Sequence, residues 1–293
     1  MRWSEGFIAV DWGTTNRRAY LIDGAGNRVA EFEDHKGALS VPKGEFPAAV
    51  AEIRTRLGDL PLLLAGMAGS NRGWVDAPYV PCPIGIDDLV KNLVWAGERE
   101  AIIPGVSFVG QGRADIMRGE EVQLLGAVAA GLIARDTLAC HPGTHNKWVQ
   151  LRGGVIHLFG TVMTGELFSL LKEHSILADL LQGPVEVNDA FKQGVRRVLE
   201  RDMLPADLFG ARAAVLLGQM KKDDAPSYVS GLLVGTDVRI GLTWPLGAQI
   251  PVMGRKELTE LYAAAIREAG REAIELDGER CFLAGINEIA KRI

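Results

Sequence analysis

The alternation of apolar and polar positions opens the chain with short strands and moves to longer helical stretches further on. Phe7-Ile8-Ala9-Val10 is an apolar run that breaks at Asp11-Trp12-Gly13-Thr14-Thr15. A strand-like pattern resumes over 18–23, turns at Gly24-Ala25-Gly26-Asn27 and continues over 28–33. Strand, polar turn, strand, glycine turn, strand predicts an antiparallel meander, whereas a dinucleotide-binding fold places a helix after its first strand. Phe46, Val50, Ile53 and Leu57 recur at helical spacing, so 45–57 is predicted as a helix, and the apolar run 61–65 as a buried strand ending in Gly66-Met67-Ala68-Gly69-Ser70. Residues 71–83, rich in Gly, Pro and aromatics, read as an irregular loop of the kind that carries ligand contacts.

Beyond a short strand at 107–110, the segment 120–134 is predicted as a helix with Val122, Leu125, Ala129 and Leu132 on one face. Gly126 and Gly131 are expected to let a neighbour approach closely, and the helix to bridge two domains. The opening pattern then recurs: strand 138–140, the polar turn 141–146, strand 147–151, the turn 152–154 and strand 155–159. Helices are predicted over 166–181, 187–199, 208–219, 257–269 and 279–292, and strands over 250–253 and 273–276. No linker or low-complexity segment interrupts them. The expected organisation is two α/β domains of related topology, 1–135 with 279–293 packing back, and 136–278.

Composition narrows the function. The 293 residues are 47% hydrophobic and 24% charged, the balance of a chain that buries a sizeable core. A formal net charge of -5 argues against nucleic acid as a partner, because phosphate backbones are bound mainly by clustered Lys and Arg. A few converging Arg still suffice for a small anion. Cys82, Cys140 and Cys281 are widely spaced and suit neither a disulfide framework nor a zinc site. The N-terminus lacks a secretory pattern, and no apolar run reaches the roughly 18 residues that span a bilayer. A soluble, cytoplasmic protein without a membrane partner is expected, and a homodimer is left open.

The first polar turn has the chemistry of a phosphate loop. Asp11 ends a strand, Gly13 allows backbone approach, and Thr14, Thr15 and Asn16 supply hydroxyls, an amide and main-chain N–H groups. A carboxylate there can hold water on a magnesium ion. Taken alone, the same residues also make an ordinary hairpin turn. The equivalent turn of the second meander, 141–146, shifts the balance, because two such loops can clamp a triphosphate from both sides.

This arrangement resembles the actin and hexokinase superfamily, with its actin-like ATPase (ribonuclease H-like) fold of two related domains around an ATP cleft. Asp11 to Asn16 looks like the first phosphate loop and Pro142 to Asn146 the second. The helix at 120–134 looks like a connecting helix, 251–254 with the helix after it like the adenosine segment, and 279–293 like the second connecting helix. In one departure, Cys140-His141-Pro142-Gly143-Thr144 lacks the acidic residue that most members carry there. Finer motifs resemble the 2-dehydro-3-deoxygalactonokinases: Asp11-Trp12-Gly13-Thr14-Thr15-Asn16, Gly66 to Ser70, Trp74 with Ala77 to Pro83, Asp115-Ile116-Met117-Arg118-Gly119-Glu120-Glu121, Pro142 to Trp148 and Met163 to Phe168. The resemblance implies a kinase that uses ATP and Mg2+ to phosphorylate the C6 hydroxyl of 2-dehydro-3-deoxy-D-galactonate in galactonate or galactose catabolism. The alternatives are a kinase for another keto-deoxy acid or sugar, an exopolyphosphatase-like hydrolase of the same fold, and an ATP-binding regulator.

Phosphoryl transfer needs a carboxylate near the attacking hydroxyl. Asp115 is the first candidate and Glu121 its rival, although acidic residues at 120 and 121 also favour a helix N-terminus. Asp11 is the expected metal ligand. Gly13, Thr14, Thr15, Asn16, Gly143, Thr144, His145, Asn146, Lys147, Thr164, Gly165 and Gly254 are assigned to nucleotide and phosphate, His145 as a hydrogen-bond donor rather than a metal ligand. A sugar acid calls for a planar guanidinium, so Arg72, Arg113 and Arg118, with Ser70 and Trp74, are assigned to substrate. Trp74 and Tyr79 equally suit packing of their loop, and Arg17 and Arg18, which follow the first turn, equally suit solvated strand positions.

Overall fold

The computed structural model describes residues 3–293 apart from 111, 245, 246 and 248, and the chain clusters into two compact units. The first comprises Met1–Arg135, Arg152–Leu158 and Glu279–Ile293; the second, Asp136–Leu151 and Phe159–Gly278.

In the first unit, β1 (Gly6–Trp12), β2 (Arg17–Asp23) and β3 (Arg28–Asp34) form the expected meander. Helix α1 (Phe46–Leu57) returns the chain to β4 (Leu62–Gly66), which pairs parallel to β1, and Ile8, Val10, Leu62 and Leu64 pack on Phe46, Val50 and Ile53 of that helix. After β5 (Tyr79–Pro81), α2 (Ile86–Lys91) and β6 (Val94–Trp95), β7 (Glu100–Ile102) completes a sheet ordered β3-β2-β1-β4-β7-β6. The loop expected over 71–83 therefore contains a strand. β5 joins β8 (Gly105–Gly110) and β9 (Arg113–Met117) in a separate three-stranded sheet. Asp115 stands within β9 of that sheet.

The helix predicted to run to 134 stops early: α3 is Glu120–Ala129. Gly131 takes φ +66° and donates to Val128 O at 3.0 Å, while Leu132 N donates to Ala127 O at 2.9 Å, a closure that satisfies the last carbonyls. Gly131 is thus a helix terminator rather than a packing site.

The connectivity recurs in the second half of the chain. β10 (Thr137–His141), β11 (Asn146–Arg152) and β12 (Val155–Val162) are followed by α4 (Thr164–His174), α5 (Asp189–Glu200), α6 (Leu204–Leu216) and α7 (Ala225–Gly241). β13 (Gln249–Gly254), α8 (Lys256–Glu268) and β14 (Glu272–Asp277) complete a sheet ordered β12-β11-β10-β13-β14, with β13 parallel to β10 as β4 is to β1. Helix α7 has no counterpart in the sequence reading. Its uniform apolarity hides the helical period, and it packs on α5 through glycines: a Cβ on Gly231 would lie 2.1 Å from Phe191 O, and one on Gly194 2.2 Å from Tyr228 O.

Helix α9 (Gly278–Lys291) returns to the first unit and crosses α3 backbone against backbone. A Cβ on Gly126 would lie 2.2 Å from Cys281 O, and one on Gly285 2.1 Å from Val122 O. Cys140 and Cys281 are buried free thiols and Cys82 is half-buried. Among the described residues no helix is long and apolar enough to cross a membrane.

Candidate active site

In the first unit the turn after β1 closes with Gly13 N donating to Asn16 O at 2.9 Å. The carbonyls of Gly13, Thr14 and Thr15 accept from Ala38, Leu39 and Gly37 at 2.9, 3.3 and 2.9 Å, so one side of the turn is anchored and the exposed Thr14 and Thr15 stand clear of the strands. Gly37 is required there, since a Cβ would meet Thr14 O at 2.2 Å. Asn16 Oδ1 lies 2.9 Å from His35 Nδ1.

Arg17 is not the solvated strand residue that was one of its two readings. Its side chain is 0% exposed, ion-paired with Asp34 at 2.7 Å and set over the Trp12 and Phe32 rings at 5.3 and 5.5 Å, so it belongs to the core behind the turn. Arg18 is partly exposed and bridges to Glu33 at 3.1 Å, as a strand residue facing water does.

Two glycines bring α3 to the end of β1. Gly66, at φ +84°, sits so close to β1 that a Cβ would lie 2.7 Å from Trp12 O and 3.7 Å from Asp11 Oδ1; a Cβ on Gly119, at φ +112°, would lie 3.4 Å from Gly66 Cα. Gly119 N donates to Glu121 Oε2 at 2.7 Å and Arg118 N to Glu120 Oε2 at 3.0 Å. Glu121 is 0% exposed and its Oε1 has no partner. Burial, reinforced by the negative charge of Glu120, pushes its carboxyl up to about 8. Asp115 stands on β9, half-buried, with Oδ1 accepting from Ile116 N at 2.8 Å.

The candidate substrate residues divide. Ser70 is buried and its hydroxyl donates to Met67 O at 2.8 Å, closing the turn after β4. Trp74 stacks on Phe46 with ring centres 6.3 Å apart and packs on the core, the packing role that was its alternative. Arg113 lies over Phe108 at 5.4 Å. Arg118 lies over Tyr79 at 4.3 Å and donates to Ala77 O at 2.7 Å, its Nε and Nη1 buried. Arg72, in the same loop, is exposed.

In the second unit the turn after β10 is built against the start of α4. A Cβ on Gly165 would lie 2.7 Å from Gly143 O, Glu166 N donates to Thr144 O at 3.0 Å, and Glu166 contacts the His145 ring through Nε2. Lys147 is buried, with Nζ donating to His145 O at 3.1 Å. At the end of β13, a Cβ on Gly254 would lie 3.3 Å from Pro142 O, so that strand end meets the same loop.

Asn146 and Thr164, assigned to phosphate from the sequence, point their side chains elsewhere. Both bond to Asp237 of α7, a residue the sequence reading missed. Asp237 is 0% exposed; its Oδ1 accepts from Asn146 Nδ2 at 2.8 Å and Trp148 Nε1 at 2.7 Å, and its Oδ2 from the Thr164 and Tyr262 hydroxyls, both at 2.5 Å. Burial raises its carboxyl above the usual range despite these four donors. The available signal was a lone acid inside the apolar run 232–238, which is costly unless it is partnered.

A magnesium ion takes oxygen ligands and keeps several waters, with one or two carboxylates and the substrate phosphates completing its shell. The half-buried Asp11, near the end of β1, and the exposed Thr14 and Thr15 of the turn after it offer oxygen donors of that kind. Among the described residues no group of three or more His, Cys, Asp or Glu that could hold a metal ion comes together.

A family model described as 2-keto-3-deoxy-galactonokinase matches residues 11–289. A 2-dehydro-3-deoxygalactonokinase of Escherichia coli (strain K12) is 36% identical over 291 residues, 98% of each chain. A Rhizobium meliloti (strain 1021) protein given the same activity in its name is 32% identical over 298 residues, 98% of this chain and 97% of the other. A crystal structure from Sinorhizobium meliloti, also named for that activity, has TM-score 0.91 at 30% identity over 98% of both chains. The activator of 2-hydroxyisocaproyl-CoA dehydratase from Clostridium difficile, with bound ADPNP, has TM-score 0.50 at 11% identity over 98% of this chain and 96% of that one, a likeness of fold alone. The fold is that of the actin-like ATPases.

Proposed function

The chain belongs to the 2-keto-3-deoxy-galactonokinase family, and from this we propose that it transfers the γ-phosphoryl group of ATP to the C6 hydroxyl of 2-dehydro-3-deoxy-D-galactonate, in the cytoplasm, as a step of galactonate or galactose catabolism. The observation that carries the reading is the backbone contact of Gly66 and Gly119, which sets Glu121, with its unpartnered Oε1, at the end of the strand that holds Asp11.

Glu121 takes the proton of the C6 hydroxyl as that oxygen bonds to the γ-phosphorus and the bond to the β-phosphate oxygen breaks, releasing ADP. A carboxyl pushed up to about 8 suits this task, because a base is most effective when its pKa lies near the working pH. Glu121 therefore replaces Asp115 as the first candidate, and Asp115, half-buried on β9, is assigned to orienting the acceptor. Asp11 would hold a water of a magnesium ion bound with ATP, and that ion would offset charge on the phosphates. Gly13, Thr14, Thr15 and the main chain of Asn16 form one phosphate turn. Gly143, Thr144, His145, Lys147 and the α4 N-terminus at Gly165 form the second, with Gly254 as the adenosine segment. Arg72, exposed in the loop after β4, pairs with the acceptor carboxylate.

A coupled ADP-release assay with Mg-ATP tests the assignment, comparing 2-dehydro-3-deoxy-D-galactonate with its gluconate epimer, glycerol and glucose. Turnover with the galactonate compound alone supports it. Equal turnover with glucose, or ADP release without acceptor, removes the substrate assignment.

A further inference from the structure

Each of the four donors to Asp237 belongs to a piece of the nucleotide site. Asn146 closes the turn directly after His145, and Trp148 continues the same strand. Thr164 precedes Gly165, which is seated against Gly143 O. Tyr262 comes from α8, the helix that follows Gly254, itself set against Pro142 O. One carboxylate thus ties together the phosphate turn, the α4 N-terminus and the helix behind the adenosine strand.

The chemistry of the partners explains why the tie is an acid. An indole N–H and an amide NH2 can only donate, so Trp148 and Asn146 demand an acceptor at Oδ1, and the two hydroxyls use the capacity of Oδ2. The Trp148 ring is held for this contact by Gly241, one helical turn beyond Asp237, where a Cβ would lie 2.0 Å from the indole. A buried carboxylate is a poor means of adding stability, because well-packed apolar groups do as well; what it adds is direction.

We infer that Asp237 is a positioning residue for ATP, fixing the phosphate turn, the start of α4 and α8 in one frame without itself touching the nucleotide. The inference rests on the assignment of that turn to the phosphates.

The test compares wild type with Asp237→Ala, Asp237→Asn and Tyr262→Phe. Val195→Ala, in the fully buried core of α5, serves as a control for general destabilisation. Binding of a fluorescent ATP analogue with magnesium, without acceptor, is read beside KM for ATP, KM for the sugar acid and the melting temperature. Asp237→Ala is expected to weaken nucleotide binding by roughly tenfold or more, since several buried donors lose their acceptor, with KM for the sugar acid unchanged within about twofold. Asp237→Asn should restore binding to within about threefold of wild type, because Oδ1 keeps its two donors and the hydroxyls can turn to accept from the new amide.

Equal nucleotide binding in Asp237→Ala and Val195→Ala at matched melting temperature overturns the inference. Should Asp237→Ala fail to fold, an unchanged nucleotide constant in Tyr262→Phe overturns it, whereas a selective loss there, with Asp237→Asn near wild type, supports it. Wild type that binds the analogue but phosphorylates none of the acceptors sinks the substrate assignment and leaves this comparison intact. Wild type that does not bind the analogue overturns both.

Discussion

The guanidinium of Arg118 lies 4.3 Å from the centre of the Tyr79 ring and donates through Nη2 to Ala77 O at 2.7 Å. Through these two contacts Arg118, assigned from sequence to the substrate carboxylate, clasps the loop that carries Arg72. A lysine keeps the charge but loses the planar stack and the fork of donors. Arg118→Lys is expected to raise KM for the sugar acid roughly threefold to tenfold by loosening that loop, with KM for ATP unchanged. Steady-state kinetics with each substrate varied in turn checks this.

Arg72 is the guanidinium of the same loop that stands exposed. Arg72→Ala should cost the acceptor about 2 kcal/mol of binding, the scale of a charge-assisted hydrogen bond. It should appear as a higher KM for the sugar acid with little change in melting temperature. Arg72→Lys should recover only part of it, since one ammonium does not match a carboxylate bidentately.

Glu121 predicts a pH dependence of both stability and activity. Its carboxyl is pushed from the ordinary range up to about 8, so the folded chain holds a proton that the unfolded chain releases. Stability therefore falls as pH rises from the ordinary carboxylate range toward 8, and Asp237, also raised, acts in the same direction. Glu121→Gln should flatten this slope and gain on the order of a few kcal/mol near pH 8, read by denaturant unfolding across pH. The same variant should lose about a hundredfold or more in kcat, while Asp115→Asn loses less. In wild type, kcat/KM for the sugar acid should rise with pH toward 8, the opposite of the stability trend. A profile that is flat across this range would remove Glu121 as the proton acceptor.

Gly126 is where α3 and α9 touch. Gly126→Ala would place a methyl group 2.2 Å from Cys281 O and close to Gly285, so a helix has to move. The expected cost is about 3 kcal/mol or more, seen as a lower denaturation midpoint, although alanine is the better helix former in isolation.

Both meanders were legible because strand alternation and turn residues are local: Phe7 to Val10 before Asp11 to Asn16, and Leu138 to Cys140 before the polar turn at 141–146. The motifs that carry the family resemblance were equally local, since a phosphate loop needs its small and polar residues consecutive along the chain. Helix α7 escaped because a helix buried on nearly all sides shows no apolar stripe. β9 escaped because Arg113 and Asp115 break the apolar signal of a short strand in a small sheet.

The roles of individual side chains were decided elsewhere. Arg17, Arg72, Arg113 and Arg118 are one residue type to the sequence, yet one is buried against Asp34, one is exposed, one lies over Phe108 and one is clasped under Tyr79. Asn146 and Thr164 look like ligand residues until Asp237, distant along the chain, is found between them. The sequence by itself determined the strand order of each meander, the two polar turns and the family, because these depend on neighbours along the chain. Tertiary structure alone decided that Glu121 is buried with one oxygen unpartnered, that Arg72 is exposed and what holds the second turn, because burial and hydrogen-bond partnership are set by residues that only folding brings together.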